Sequence, residues 1–257
     1  MTEHDIKQHL RTKTFGKNIF CFDSIDSTNT YAKKLLSQDI EEGTLVIAEE
    51  QSAGRGRFDR TWHSSSGKNL TFSVIIRPNI IPQRIGILSL YAGLAVTEAV
   101  QELSHISPTC KWPNDVLLNG KKLCGILSEA VFSDAQISAV IIGIGLNVNQ
   151  TEFPDTLAST ATSMVLECNK MFDRFHVLAK VLEKLEHLYA FIQTHHLEDI
   201  LQRWQSHSIM LGKEVTISQQ GQLVKGIAKA IDTDGGLIIS VNGTEKKVAA
   251  GDVTILQ

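Results

Sequence analysis

Arg55, Arg57 and Arg60 lie in one short stretch of the 257-residue chain, Gln51-Ser52-Ala53-Gly54-Arg55-Gly56-Arg57-Phe58-Asp59-Arg60-Thr61-Trp62. Three like charges this close repel one another, and a loop that only joins two elements gains nothing from them. Gly54 and Gly56 let the backbone turn its N–H groups toward a ligand, and such nests bind anions. Guanidinium groups add forked donors that match phosphate and carboxylate oxygens. The chemistry that suits these residue types is the capture of an anion. A solvated basic loop is the alternative if the charges are taken alone. Residues 51–69 also make a long connection for a compact domain, and such connections are usually functional or disordered.

Other residues could join that chemistry. Ser27, Thr28 and Gln51 offer hydroxyl and amide groups, although Ser27 reads equally well as a helix cap. Asp115 follows Pro113-Asn114, where it either positions an amine or a cation or closes an Asx turn. Asn147 ends an apolar run, where a polar side chain needs partners, or it is a turn residue. Trp62 and Trp112, taken singly, read as core. His63, His195 and His196 have neither metal nor triad spacing and read as surface residues. Cys21, Cys110, Cys124 and Cys168 are far apart with no C-x-x-C pair. That argues against a zinc cage or disulfide framework, fits a reducing cytoplasm and makes core filler the expected role. Gly67-Lys68 lacks the upstream glycine and the following hydroxyl of a phosphate-binding P-loop.

These side chains need elements to hold them. Residues 19–22, 44–48 and 70–76 read as strands, and Ser27-Thr28-Asn29 supplies caps for a helix over 31–36. Apolar spacing predicts a long, mostly buried helix over 84–104. Residues 109–112 are strand-like. Segments 116–118 and 123–131 flank Asn119-Gly120, the strongest short hairpin signal. A β-branched strand follows at 137–148. Phe175, Leu178, Leu182, Leu185 and Leu188 mark an amphipathic helix after an Asp173 cap, with another over 197–206. Beyond it, short strands at 215–217, 223–230, 237–241, 246–249 and 253–256 suggest a small all-β unit. The expected plan is a tail or a short helix at 1–12, an α+β body at 13–207 and a β domain at 208–257. The strand at 137–144 is expected to lie at a sheet edge and to be the surface of a possible homodimer.

Composition narrows the function. A net charge of −3 gives no global pull toward nucleic acid, so the basic loop suggests a local anion site. The charged N-terminal stretch has no apolar signal segment, and no run approaches a membrane span.

Three stretches in this order and spacing, GRGRFDRTW (54–62), KWPNDVLLNGKKLCGIL (111–127) and GIGLNVN (143–149), resemble biotin protein ligases. Ser27-Thr28-Asn29 and Gln51 join the resemblance, which covers residues 15–257. It implies a mixed-sheet catalytic domain related to class II tRNA synthetases and lipoate ligases, with a C-terminal SH3-like barrel. The implied activity is ATP-dependent conversion of biotin to biotinyl-5′-adenylate and transfer of biotin to a lysine of a biotin carboxyl carrier protein. The implied cofactors are ATP and Mg²⁺. The start of the motifs at Ser27 leaves no room for the winged helix-turn-helix domain of bifunctional members. The expectation is therefore a cytoplasmic, monofunctional enzyme without specific DNA binding. Lipoate ligase remains a rival, which the GRGR loop and the KWPND hairpin disfavour.

By the same resemblance, Ser27, Thr28, Asn29, Gln51, Gly54, Arg55, Trp62, Gly125, Leu127 and Lys122 bind biotin. Arg57, Arg60, Trp62, Lys122 and Asn147 bind the nucleotide, and Trp112 also lines the pocket. Lys122, Arg57, Asp115 and Lys111 carry the catalysis, and no protein metal ligand is expected. Strand alternation is expected to point Lys121 away from the site that Lys122 enters. Many family members carry glycine at the position of Asp59, which here could pair with Arg57 or Arg60.

Overall fold

The computed structural model describes every residue except Asp59, Gln220, Gly221 and Gln257. Seven strands form its main sheet: β1 (Ile19–Ile25), β2 (Leu45–Gln51), β3 (Leu70–Ile76), β4 (Thr109–Lys111), β5 (Asp115–Leu118), β6 (Lys121–Ser133) and β7 (Gln136–Leu146). Their order is β1-β2-β3-β7-β6-β5-β4. Only β1 and β2 run parallel, joined through helix α2 (Thr28–Leu35), so the sheet is mixed. β3 is buried at every position, because helices cover both faces. On one face α2 packs Ala32 and Leu35 against Val46, Ile75 and Ile141. The other face carries α3 (Gly86–Ser104), α6 (Arg174–Gln193) and α7 (Leu197–Ser206). The Asp173 side chain caps α6 by accepting from the Phe175 N–H at 2.9 Å, as its sequence position predicts.

The C-terminal strands β8 (Glu214–Gln219), β9 (Gln222–Ile231), β10 (Leu237–Val241), β11 (Thr244–Val248) and β12 (Asp252–Ile255) form a separate antiparallel sheet, ordered β11-β10-β9-β8-β12. It is tied to the main body. Trp112 is buried, and its indole N–H donates to the Gly235 carbonyl in the β9–β10 turn at 2.9 Å. Trp112 is therefore chiefly a joint between the two units, despite also bordering the site.

One expectation about an element fails. β7 is no edge strand, since β3 and β6 pair with it on either side. A β-branched run buried on both faces reads the same at an edge or at the centre, so residues 137–144 cannot be a free pairing surface. The N-terminal segment takes the second of its two readings, a short helix. It forms α1 (Glu3–His9) and buries Ile6 in the core. Two short helices, α4 (Asp155–Ala158) and α5 (Met164–Cys168), fill a connection in which the sequence reading found no element.

Candidate active site

At one end of the main sheet a cavity of about 580 Å³ opens, lined from Ser27 to Thr254. β6 supplies one wall through an irregularity. Val116 pairs with Cys124 and Leu117 with Lys122, so Leu123 is an extra residue opposite β5. Such a bulge re-aims side chains. Leu123 and Cys124 both enter the core, while Lys122, Gly125 and Leu127 share the cavity face. The Asn119-Gly120 turn has the two positive φ values, 51° and 81°, that a tight hairpin needs. Lys121 is exposed outside this cavity, as expected. The Lys122 ammonium lies 2.7 Å from Asp115.

The arginine stretch is a small hairpin. Gly56 N–H donates to the Arg60 carbonyl at 2.6 Å, and Trp62 N–H to the Gly54 carbonyl at 2.9 Å. Its foot rests on bare backbone. Gly125 and Gly145 are paired across β6 and β7, and the Trp62 indole lies over both. A Cβ at Gly145 would come within 2.3 Å of the indole, and one at Gly125 within 2.9 Å. Gly143, one pleat away, serves Asn29 in the same way: its Cβ would meet the Asn29 amide oxygen at 2.2 Å. The two glycines of GIGLN are thus seats for two different side chains.

One end of the cavity is polar and the other cationic. Ser27 caps α2 and also lines the cavity. Gln51 Oε1 accepts from the Thr28 backbone N–H at 2.8 Å and lies 3.0 Å from the Thr28 hydroxyl. The Ser73 hydroxyl sits 2.8 Å from Thr28 Oγ1 and 2.6 Å from Asn29 Oδ1. Each hydroxyl carries one hydrogen, so two hydrogens serve three oxygen–oxygen contacts. The cluster is one donor short, which suits a ligand that brings N–H groups. At the other end stand Arg57, Arg60, Lys111 and Lys122. Arg57 donates to the Gly251 carbonyl at 3.2 Å and to Asn114 Oδ1 at 3.4 Å, and Arg60 bonds the Asp252 carboxylate. Burial pulls the Arg57 pKa below its usual value, opposed by the nearby Asp252 and Asp115 carboxylates. Asn147 donates to the Thr162 carbonyl at 3.0 Å, while its own Oδ1 is buried without a partner among the described residues.

Residues 21–147 match the biotin/lipoate A/B protein ligase family, and residues 210–256 match the biotin protein ligase C-terminal domain. The bifunctional ligase/repressor BirA of Bacillus subtilis is 36% identical, over 99% of this chain and 79% of its own length. The biotin–[acetyl-CoA-carboxylase] ligase of Mycobacterium tuberculosis is 38% identical, over 90% of this chain and 86% of its own. The biotin protein ligase of Aquifex aeolicus, solved in complex with biotin and ATP, superposes with a TM-score of 0.81 at 31% identity. That match covers 94% of this chain and 99% of the other. The chain belongs to the biotin protein ligase family.

The ligase brings most of its expected site residues to one cavity: Ser27, Thr28, Asn29, Gln51, Arg55, Arg57, Arg60, Trp62, Lys111, Asp115, Lys122, Gly125, Leu127 and Asn147 all line it. Gly54 does not. It is buried behind the wall, where a Cβ would strike the Trp62 carbonyl at 2.7 Å and approach the Gln51 amide at 3.2 Å. Its lack of a side chain lets the hairpin close. Pairing of Asp59 with Arg57 or Arg60 lies outside the described residues, whereas Asp252 from the C-terminal unit does meet both arginines. Asp252 and the wall from Phe153 to Ala161 had no visible signal, because each reaches the cavity only through long-range packing, and Ser73 stands behind the wall, touching Thr28 and Asn29. His63, His195 and His196 are exposed, as expected. No group of three or more metal-ligating side chains occurs among the described residues.

Proposed function

We propose that the chain joins biotin to ATP as biotinyl-5′-adenylate and then transfers biotin to a lysine of a biotin carboxyl carrier protein. The observation that carries this reading is the two-ended cavity, with a donor-deficient polar cluster at one end and four cations at the other. A urea ring supplies N–H donors for the lone pairs of Thr28 Oγ1 and Gln51 Oε1. The biotin carboxylate and the ATP phosphates repel each other, and Arg57, Arg60, Lys111 and Lys122 offset that repulsion. The carboxylate oxygen attacks the α-phosphorus and pyrophosphate leaves. The carrier amine then attacks the mixed anhydride and AMP leaves. Lys122, its ammonium 2.7 Å from Asp115, is the cation assigned here to the charge that builds between carboxylate and phosphate. Asn147 Oδ1 is a free acceptor for an amino or hydroxyl group of the nucleotide.

Mg²⁺ keeps most of its waters and takes phosphate oxygens plus one or two carboxylates. Asp115 and Asp252 border the cavity but are engaged by Lys122 and by the two arginines, so phosphate oxygens and water would supply most ligands of such an ion. Such an ion would neutralise phosphate charge. Among the described residues no helix is long and apolar enough to cross a membrane. The four cysteines are unpaired, which supports placing the enzyme in a reducing cytoplasm. The test is pyrophosphate exchange into ATP by the purified protein. Biotin should drive it and lipoate should give at most a trace. Exchange with lipoate but not biotin would overturn the reading.

A further inference from the structure

Glu129 on β6 lies outside the wall of the cavity, yet it is bonded to two residues within that wall. Arg55 Nη2 donates to its two carboxylate oxygens at 3.1 and 2.8 Å, and Asn29 Nδ2 donates to Oε2 at 2.7 Å. We propose that Glu129 is a positioning residue that sets the donor–acceptor sense of the polar end of the cavity. This rests on the ligase reading and adds to it the residue that selects for N–H groups on the ligand.

The argument follows hydrogens along the chain of contacts. A carboxylate paired with arginine only accepts hydrogen bonds. The Asn29 amide nitrogen must therefore face Glu129, and the Leu127 carbonyl beside it at 3.3 Å asks for the same orientation. Turned the other way, the amide oxygen would meet two acceptors. Asn29 Oδ1 thus faces Ser73 at 2.6 Å, and only the Ser73 hydrogen can fill that contact. Ser73 then has no hydrogen left for Thr28, 2.8 Å away. The single Thr28 hydrogen must serve either Ser73 or Gln51, and Gln51 Oε1 is already fixed as an acceptor by the Thr28 backbone N–H. The shortage of one hydrogen is passed to the cavity face, where Thr28 and Gln51 present lone pairs. Gly143 locks the arrangement from below, because Asn29 fills the space a Cβ would need. Arg55, about half exposed, gains direction from Glu129 rather than much stability.

Glu129→Gln is the informative change. It keeps the size but can both donate and accept, so of the two acceptors that fix the Asn29 orientation only the Leu127 carbonyl, at 3.3 Å, remains. Steady-state adenylation should be measured with biotin and with a biotin analogue methylated on a ureido nitrogen, which lacks one donor. In the variant, KM for biotin should rise about tenfold, the effect of one misdirected hydrogen bond, with kcat within about threefold. The wild-type preference for biotin over the methylated analogue should shrink. Ser73→Ala breaks the same chain at a residue outside the cavity wall and should shrink it too, so the test survives if Glu129→Gln does not fold. An unchanged KM, or an equal rise for both compounds that preserves the preference, overturns the role of Glu129. A wild-type protein that adenylates no biotin overturns the ligase reading itself and this inference with it.

Discussion

Lys121 and Lys122 are adjacent and identical in type, yet only Lys122 reaches the cavity. Replacing Lys122 with Ala should lower the single-turnover rate of adenylate formation by roughly 10²–10³, as loss of one preorganised transition-state donor does. Lys121→Ala should change it by less than about threefold, as expected of an exposed charge. Equal losses would mean that the hairpin is misassigned. Gly145 gives a second residue-scale expectation. A methyl group there collides with the Trp62 indole, which belongs to the hairpin and not to the deep core. Gly145→Ala should therefore cut biotin-dependent exchange by about tenfold or more while moving the melting temperature by only about 2 °C. A large loss of stability with activity preserved would contradict that seat. At this scale the sequence was informative wherever chemistry dictates residue type, as with the arginines, Lys122 and Gln51. It was silent on Glu129 and Ser73, which matter only for the neighbours that the fold gives them.

The arginine hairpin is closed by two backbone bonds at its base and by side chains that reach Asn114, Glu129 and Asp252. Phosphates would compete for Arg57 and Arg60, so ligand should tighten a segment that several weak contacts now share. Hydrogen exchange across residues 52–62 should slow markedly when biotin and ATP are added together. Protection that is already complete without ligand would mean a rigid, preformed site. Gly54→Ser, which crowds the hairpin base, should weaken that response. Among the elements, those with a strong local period were legible: β3 runs over the residues expected of it, and α6 begins at its Asp173 cap. α4, α5 and the bulge at Leu123 were not, because each is fixed by what packs across from it.

Across the whole molecule, the C-terminal unit completes the site it borders. Trp112 joins the catalytic sheet to the Gly235 turn, and Gly251 and Asp252 meet the arginines. Trp112→Phe leaves a buried carbonyl unpaired and should cost roughly 1–3 kcal/mol in denaturant unfolding. It should also raise KM for ATP more than KM for biotin, because the C-terminal residues reach the arginine end. Equal changes in both would separate the joint from the site. Cysteine chemistry offers an independent check on the body. Burial pushes the Cys110 thiol up to about 12 and the Cys124 thiol higher still. A thiol reagent at neutral pH should label the partly exposed Cys21 and Cys168 in the native protein, and the other two only after unfolding. The division into an α+β body and a β unit was legible from the change in strand spacing. The contacts across it were not, since they join residues more than a hundred positions apart.

Side-chain alternation along a strand is a count modulo two, and Leu123 adds one to the count between Lys122 and Gly125. Deleting Leu123 would remove the bulge and leave the parity of Lys122 relative to Gly125 as it is now, because the pairs Val116–Cys124 and Leu117–Lys122 can persist in an unbroken ladder. Inserting a second residue at the same point, with one residue still bulged, would flip Lys122 into the core and send Lys121 toward the cavity. The ligase should thus respond asymmetrically to length changes in one strand. Loss of a residue at this site costs core packing and spares the chemistry, whereas gain of one exchanges the two lysines.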